Sequence, residues 1–167
     1  MRFQADMRAA LGWRWTEGAT FDARLEFGRQ LLDAHGLGSE AAWSAEDELL
    51  PGGHAQTYDL THLVRAVLGD ALVTSLEGVY AMLVVNHSPD GGSLHVGGAA
   101  ADPWTGPFGA GGGPLVVAPE GAALLASRAA AWPVDQAARN LRLEAVGGDV
   151  QYSLAVVGVA PGPGSSA

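Results

Sequence analysis

Apolar and polar residues alternate from the first position. Met1, Phe3, Ala5, Met7, Ala9, Leu11, Trp13 and Trp15 share one parity, and Arg2, Gln4, Asp6, Arg8, Arg14 and Thr16 fall on the other. A period of two is the mark of a half-buried strand. It predicts a strand, or a pair of strands, over residues 1–16, closed by Glu17-Gly18. Two roles stay open for the tryptophan pair: anchoring a core or clasping a neighbouring subunit. Between Arg24 and Leu32 the same spacing recurs at Leu25, Phe27 and Leu31, broken by Gly28, which reads as a bulged strand or a short helix.

The richest pattern lies between Leu76 and Gly98. Two apolar runs, Leu76 to Val85 and Ser93 to Gly98, flank Asn86-His87-Ser88-Pro89-Asp90-Gly91-Gly92, a cluster of turn formers that predicts a β-hairpin. The first run is apolar at both parities, with Val79, Ala81, Leu83 and Val85 on one face and Tyr80, Met82 and Val84 on the other. A strand of that kind is covered on both sides, once by its own core and once by another layer or a neighbouring subunit.

The remaining segments are short and heavily punctuated. Gln56 to Leu60 reads as a strand. Leu60, Leu63, Val64, Val67 and Leu68 have helical spacing, which predicts a helix of about two turns from a Thr61 cap to Gly69. Leu115-Val116-Val117 and Ala122 to Leu125 flank Ala118-Pro119-Glu120-Gly121, a second hairpin signal. Leu141, Leu143 and Ala145 alternate with Arg142 and Glu144, Gly147-Gly148 turns the chain, and Val150 to Val159 returns. Pro161 to Ala167 has the composition of a disordered tail. The fold predicted is all-β, a single antiparallel β-sandwich or jelly-roll-like domain with one short helix, spanning residues 1–160, with residues 1–16 as an N-terminal strand or an appended arm.

Composition agrees with this picture. The chain has 167 residues with 24 glycines and 9 prolines, a density of turn formers that suits many short strands. Eighteen acids against nine bases give a net charge of −9, which repels nucleic acid phosphates. The absence of cysteine excludes disulfides, thiolate zinc sites and a cysteine nucleophile. The charged residues near Met1 leave no apolar signal-peptide centre, so synthesis in the cytoplasm without ordinary export is expected.

Candidate chemistry is sparse. His35, His54, His62, His87 and His95 form neither a His-x-His nor a His-Glu-x-x-His pattern, although His87 and His95 lie on opposite arms of the expected hairpin. Glu46-Asp47-Glu48 lacks a surrounding calcium loop and reads as a solvated face. No Gly-x-Ser-x-Gly elbow occurs. Neither a catalytic group nor a cofactor or metal site is expected. Attention falls instead on aromatic and apolar contacts. Trp104 and Phe108 sit in a Gly- and Pro-rich loop over residues 99–114, which is expected to expose them. With Trp13, Trp15, Tyr80 and Met82 they are the candidate interface residues.

Several pieces, in their order, carry a resemblance. They are Trp43-Ser44, Gly52-Gly53 before Tyr58-Asp59-Leu60, Leu68-Gly69-Asp70, Val79 to Val85-Asn86-His87-Ser88, and Leu94-His95-Val96-Gly97-Gly98. Pro119-Glu120-Gly121-Ala122, Trp132-Pro133-Val134 and Tyr152-Ser153-Leu154 to Gly158 complete the series. From Trp43 onward the chain resembles a group of small virion proteins of tailed bacteriophages and prophages; in that group the turn at 119–121 is Pro-Gly-Gly, and here Glu120 replaces one glycine. The resemblance implies a β-sandwich on the particle, a capsid decoration (cement) protein that sits as a homotrimer on the major capsid protein, with a tail or neck component as the alternative. Two readings from other classes are a carbohydrate-binding sandwich, with Trp104 and Phe108 stacking on sugar rings, and a metal-dependent cupin-like enzyme.

Overall fold

The computed structural model describes residues 4–15, 21–32, 40–67, 70–109, 113–127 and 130–162; for residues 4–32, 40, 66–67 and 70–72 it gives backbone and register alone. The chain divides into two compact units, Met1–Gly38 and Ser39–Ala167. The described residues form thirteen strands and no helix.

The first unit is a two-stranded ribbon. Strand β1 (Gln4–Trp15) pairs antiparallel with β2 (Phe21–Leu32), Gln4 opposite Leu32 and Trp15 opposite Phe21. The register runs unshifted past Gly28, which lies opposite Arg8, so the bulge expected there is absent. The expected alternation over residues 4–15 is present as one long strand.

The second unit, the body, holds the other strands. They are β3 (Glu40–Leu50), β4 (Ala55–Asp59), β5 (Leu63–Val67), β6 (Asp70–Thr74), β7 (Gly78–Asn86) and β8 (Ser93–Val96). After them come β9 (Leu115–Val117), β10 (Ala122–Ala126), β11 (Trp132–Pro133), β12 (Asn140–Val146) and β13 (Val150–Val159). One sheet has the order β10-β7-β13-β3, with β11 pairing the start of β7; another has the order β4-β12-β8-β9; β5 and β6 pair only with each other. All strand pairings are antiparallel. The start of β3 and the end of β13 are neighbours, Glu40 opposite Val159.

Buried residues of the two larger sheets meet in one cluster. Trp43, Val79, Met82, Val84, Leu154 and Val156 come from the first sheet, and Leu94, Val96, Val117, Leu141, Leu143 and Ala145 from the second. Alternation along each strand puts these residues inward, and each large side chain so buried contributes roughly 1.5–3 kcal/mol. The parity of β7 departs from the simple pattern at one place. The register with β13 shifts between Val157 and Gly158, so Val79 enters the core together with Met82 and Val84 rather than following Leu83 outward. Gly158 lies so close to β7 that a Cβ there would collide with the carbonyl oxygen of Gly78.

The helix expected over residues 61–69 is not formed; Leu63–Val67 and Asp70–Thr74 make the β5–β6 ladder, with residues 68 and 69 outside the described set. A helix would place Leu63 and Val64 on one face. Here Leu63 is 2% exposed and Val64 48%, which is a strand's alternation. The β-branched Val64, Val67, Val73 and Thr74 favour that outcome. Trp43 fixes it from the body by donating Nε1–H to the Val64 carbonyl at 3.3 Å.

The expected hairpins also take another form. Strands flanking 87–92, 118–121 and 147–149 do not pair with one another, because each turn carries the chain from one sheet to the other. The Pro51–His54 turn, between β3 and β4, does the same. These crossings are tied together by hydrogen bonds. The Asn86 amide NH2 donates to the carbonyls of Gly92 (3.0 Å) and Val117 (3.3 Å), and its Oδ1 accepts from the Ser88 N–H at 3.1 Å. Ser88 Oγ accepts from the Gln151 N–H at 2.7 Å, and Asp149 Oδ1 accepts from the Gly52 N–H at 2.8 Å. Gly92 packs where only hydrogen fits, since a Cβ would stand 2.5 Å from the carbonyl oxygens of Val146 and Gly148.

Candidate functional site

The outward face of the β10-β7-β13-β3 sheet is the candidate functional surface. Opposed residues in neighbouring strands share a face, so the register defines its rows. One row runs Ser44, Ala155, Leu83, Leu124; the next runs Ala42, Val157, Ala81, Ala126; a third contains Ser153, Val85 and Ala122. No charged residue stands in the first two rows; the third runs into the Glu46 and Asp47 pair of β3. Leu83, at the centre, is 40% exposed, whereas its neighbours Met82 and Val84 point into the core. Uncharged side chains on a sheet face cost little to desolvate, and one of them, Ala81, is already covered at 4% exposure.

One edge of this face carries the charge. Arg65 of β5 donates through Nη1 to Ser44 Oγ at 2.9 Å and pairs through Nη2 with Glu46 Oε1 at 3.4 Å. The β3–β13 register slips so that Glu46 and Asp47 together oppose Ser153, a bulge in which Asp47 takes a left-handed φ of 55°. The bulge brings three chemistry-bearing side chains together. His87 Nε2 lies 2.8 Å from Ser153 Oγ and 3.8 Å from Asp47 Oδ1, and Ser153 Oγ also accepts the Asp47 N–H at 3.2 Å. This is not a nucleophile relay. In a relay the carboxylate holds the ring nitrogen opposite the hydroxyl, whereas Asp47 approaches the same Nε2 that meets Ser153. What the trio does is pin the bulge to the turn after β7.

The residues singled out from sequence are scattered. Met82 is fully buried in the core, facing away from Leu83, and Tyr80 is half-buried on the same strand. The loop over 99–114 does not expose Trp104: its side chain is 1% exposed and donates Nε1–H to the Pro133 carbonyl at 3.0 Å. Phe108 and Trp132 meet it edge-on, with ring centroids 6.0 and 6.3 Å away. Aromatic area is too large an apolar load to leave in water when β11 offers a partner, so the loop folds inward around it. The side chains of Trp13 and Trp15 lie outside the described residues. His87 and His95 sit in segments serving different sheets, and among the described residues no group of three or more His, Asp or Glu converges as a metal site.

Sequence reasoning passed over Leu83 as a specific residue and over Ala155, Val157 and Leu124 altogether. The signal for Leu83 was present, in the doubly apolar run of β7. For the alanines there was none, because only the register shows that they complete an uncharged surface.

Compared with family models, curated proteins and solved structures, the chain matches none.

Proposed function

We propose that the body is a jelly roll and that the protein is a non-enzymatic virion component, a capsid decoration protein that binds the major capsid shell as a homo-oligomer, a trimer in the arrangement the resemblance implies. The strand orders support the fold. Leaving aside the two-residue β11, four strands lie in each sheet, in the orders β10-β7-β13-β3 and β9-β8-β12-β4, and the chain changes sheet at four turns, as expected for two interlocked Greek keys.

The observation that carries the function is the uncharged face centred on Leu83, on a chain of net charge −9. Such a surface suits permanent docking to a protein lattice, with the acidic remainder turned to solvent and steering the approach to a basic partner. The sugar-binding reading is weakened by the burial of Trp104, which removes half of its stacking platform.

The test is immunogold labelling and mass spectrometry of purified particles, paired with binding of the purified chain to undecorated shells. Label over the shell, and shell binding lost in Leu83→Glu, is the expected result. Label on the tail or neck assigns the protein there and overturns the decoration role. Absence from particles overturns the virion reading.

A further inference from the structure

The ribbon formed by β1 and β2 has a distribution of residues that neither strand reveals alone. Directly opposed residues share a face, and the register pairs odd numbers with odd numbers. One face therefore carries Ala5, Met7, Ala9, Leu11, Trp13 and Trp15 from β1, and Phe21, Ala23, Leu25, Phe27, Arg29 and Leu31 from β2. Every one of these except Arg29 is apolar, and Arg29 stands opposite Met7, toward the open end. From Ala9 and Phe27 to Trp15 and Phe21, the apolar strip is continuous. The even-numbered face is mostly polar, with opposed charges at Arg14 and Asp22.

A two-stranded sheet has no second layer of its own, and such ribbons are marginal in water unless the apolar face is covered. We propose that this odd-numbered face is a self-association surface, occupied by the same face of other copies of the chain.

Between copies, charge favours contact of ribbon with ribbon over contact of body with body. Within residues 1–38, Arg2, Arg8, Arg14, Arg24 and Arg29 balance Asp6, Glu17, Asp22, Glu26 and Asp33, so the whole net charge of −9 falls on residues 39–167. Bodies repel one another, while ribbons meet without Coulombic cost. The dimensions fit as well. Strands of this length extend about 40 Å. The face holds eight large apolar residues, a strip of the size that forms one side of a protein–protein interface. The inference specifies how the proposed oligomer is held and is independent of where on a particle the protein sits.

The full chain is the material for the test. Sedimentation equilibrium of the wild type should give an oligomer, and Leu11→Glu or Leu25→Glu on the odd face should weaken association by at least about tenfold, as expected for a buried unpaired charge. Gly12→Glu, on the even face and opposite Arg24, should leave the mass unchanged. The chain contains no cysteine, so single-cysteine variants add a second readout that perturbs the ribbon little. Ala9→Cys should be joined between copies by a short bis-maleimide, and Ala10→Cys should not. A monomeric wild type, oligomers that persist in both odd-face variants, or equal cross-linking at positions 9 and 10 would overturn the proposal. Loss of shell binding with the oligomer intact would strike the virion reading alone.

Discussion

The hydroxyls of Tyr58 and Tyr152 lie 2.6 Å apart, although 94 positions separate them in the chain. Tyr58 stands on the edge strand β4 of one sheet and Tyr152 on the inner strand β13 of the other, so the bond ties the two sheets together. Burial raises both phenols above their ordinary value of 10.0, and for Tyr152 the bond to Tyr58 raises it further, out of the range in which phenols ordinarily titrate.

Alkali should therefore loosen the body. A group whose folded pKa is raised contributes stability that is complete below its unfolded value, here about 10, and that is lost as pH rises through the folded value. Urea unfolding should give a constant free energy between pH 8 and 9 and a decline above about pH 10. Tyr152→Phe should cost about 0.5–1.5 kcal/mol at neutral pH and make the alkaline decline shallower. An identical decline in the variant would mean that other groups are responsible.

Asn86 is the keystone of the crossing turns, fully buried with both ends of its amide engaged. Asn86→Leu leaves two carbonyls and one N–H without their partner and should cost roughly 3 kcal/mol. Asn86→Asp puts a carboxylate in the same place. Burial raises its pKa, so the loss should grow as pH rises from 4 to 8. Denaturant titrations at both pH values measure the difference, and a pH-independent loss would contradict a buried acid.

Trp104 acts as core. Trp104→Ala should destabilise by about 3–5 kcal/mol, and Trp104→Phe by about 1–2, reflecting the Nε1 bond to Pro133 together with some lost packing. A change below about 0.5 kcal/mol in Trp104→Ala would match a surface position instead.

Adjacent residues on β7 should respond in opposite ways. Met82→Ala opens a cavity in the core and should cost roughly 2–5 kcal/mol, whereas Leu83→Ser on the outward face should change stability by no more than about 0.5. Thermal melts of the two variants side by side give the comparison directly.

The strands themselves were readable because period-two patterning survives in almost every segment, from Met7–Trp15 to Tyr152–Val156. Which sheet each strand joins was not. Asn86 to Gly92 and Ala118 to Gly121 carry the chemistry of hairpin turns, and the same residues serve equally well to carry the chain into the other sheet instead of back beside the strand it leaves. Leu60, Leu63, Val64 and Val67 satisfied a helical spacing by coincidence, and only the pairing of β5 with β6 and the pull of Trp43 on the Val64 carbonyl decide between the two. Trp104 was misplaced because loop composition says where a chain bends and nothing about what an aromatic within the bend will find to pack on. The uncharged face around Leu83 depended on a register that no single strand encodes.

The ladder that sets Glu40 beside Val159 has a practical corollary. The body's first strand starts where its last one stops, so a few linking residues could splice them and a fresh opening could be cut beside the exposed Gly113 and Pro114, giving a circular permutant with the same neighbours throughout. A display scaffold made this way would present its cargo from a different corner of the molecule without adding or removing any contact in the interior.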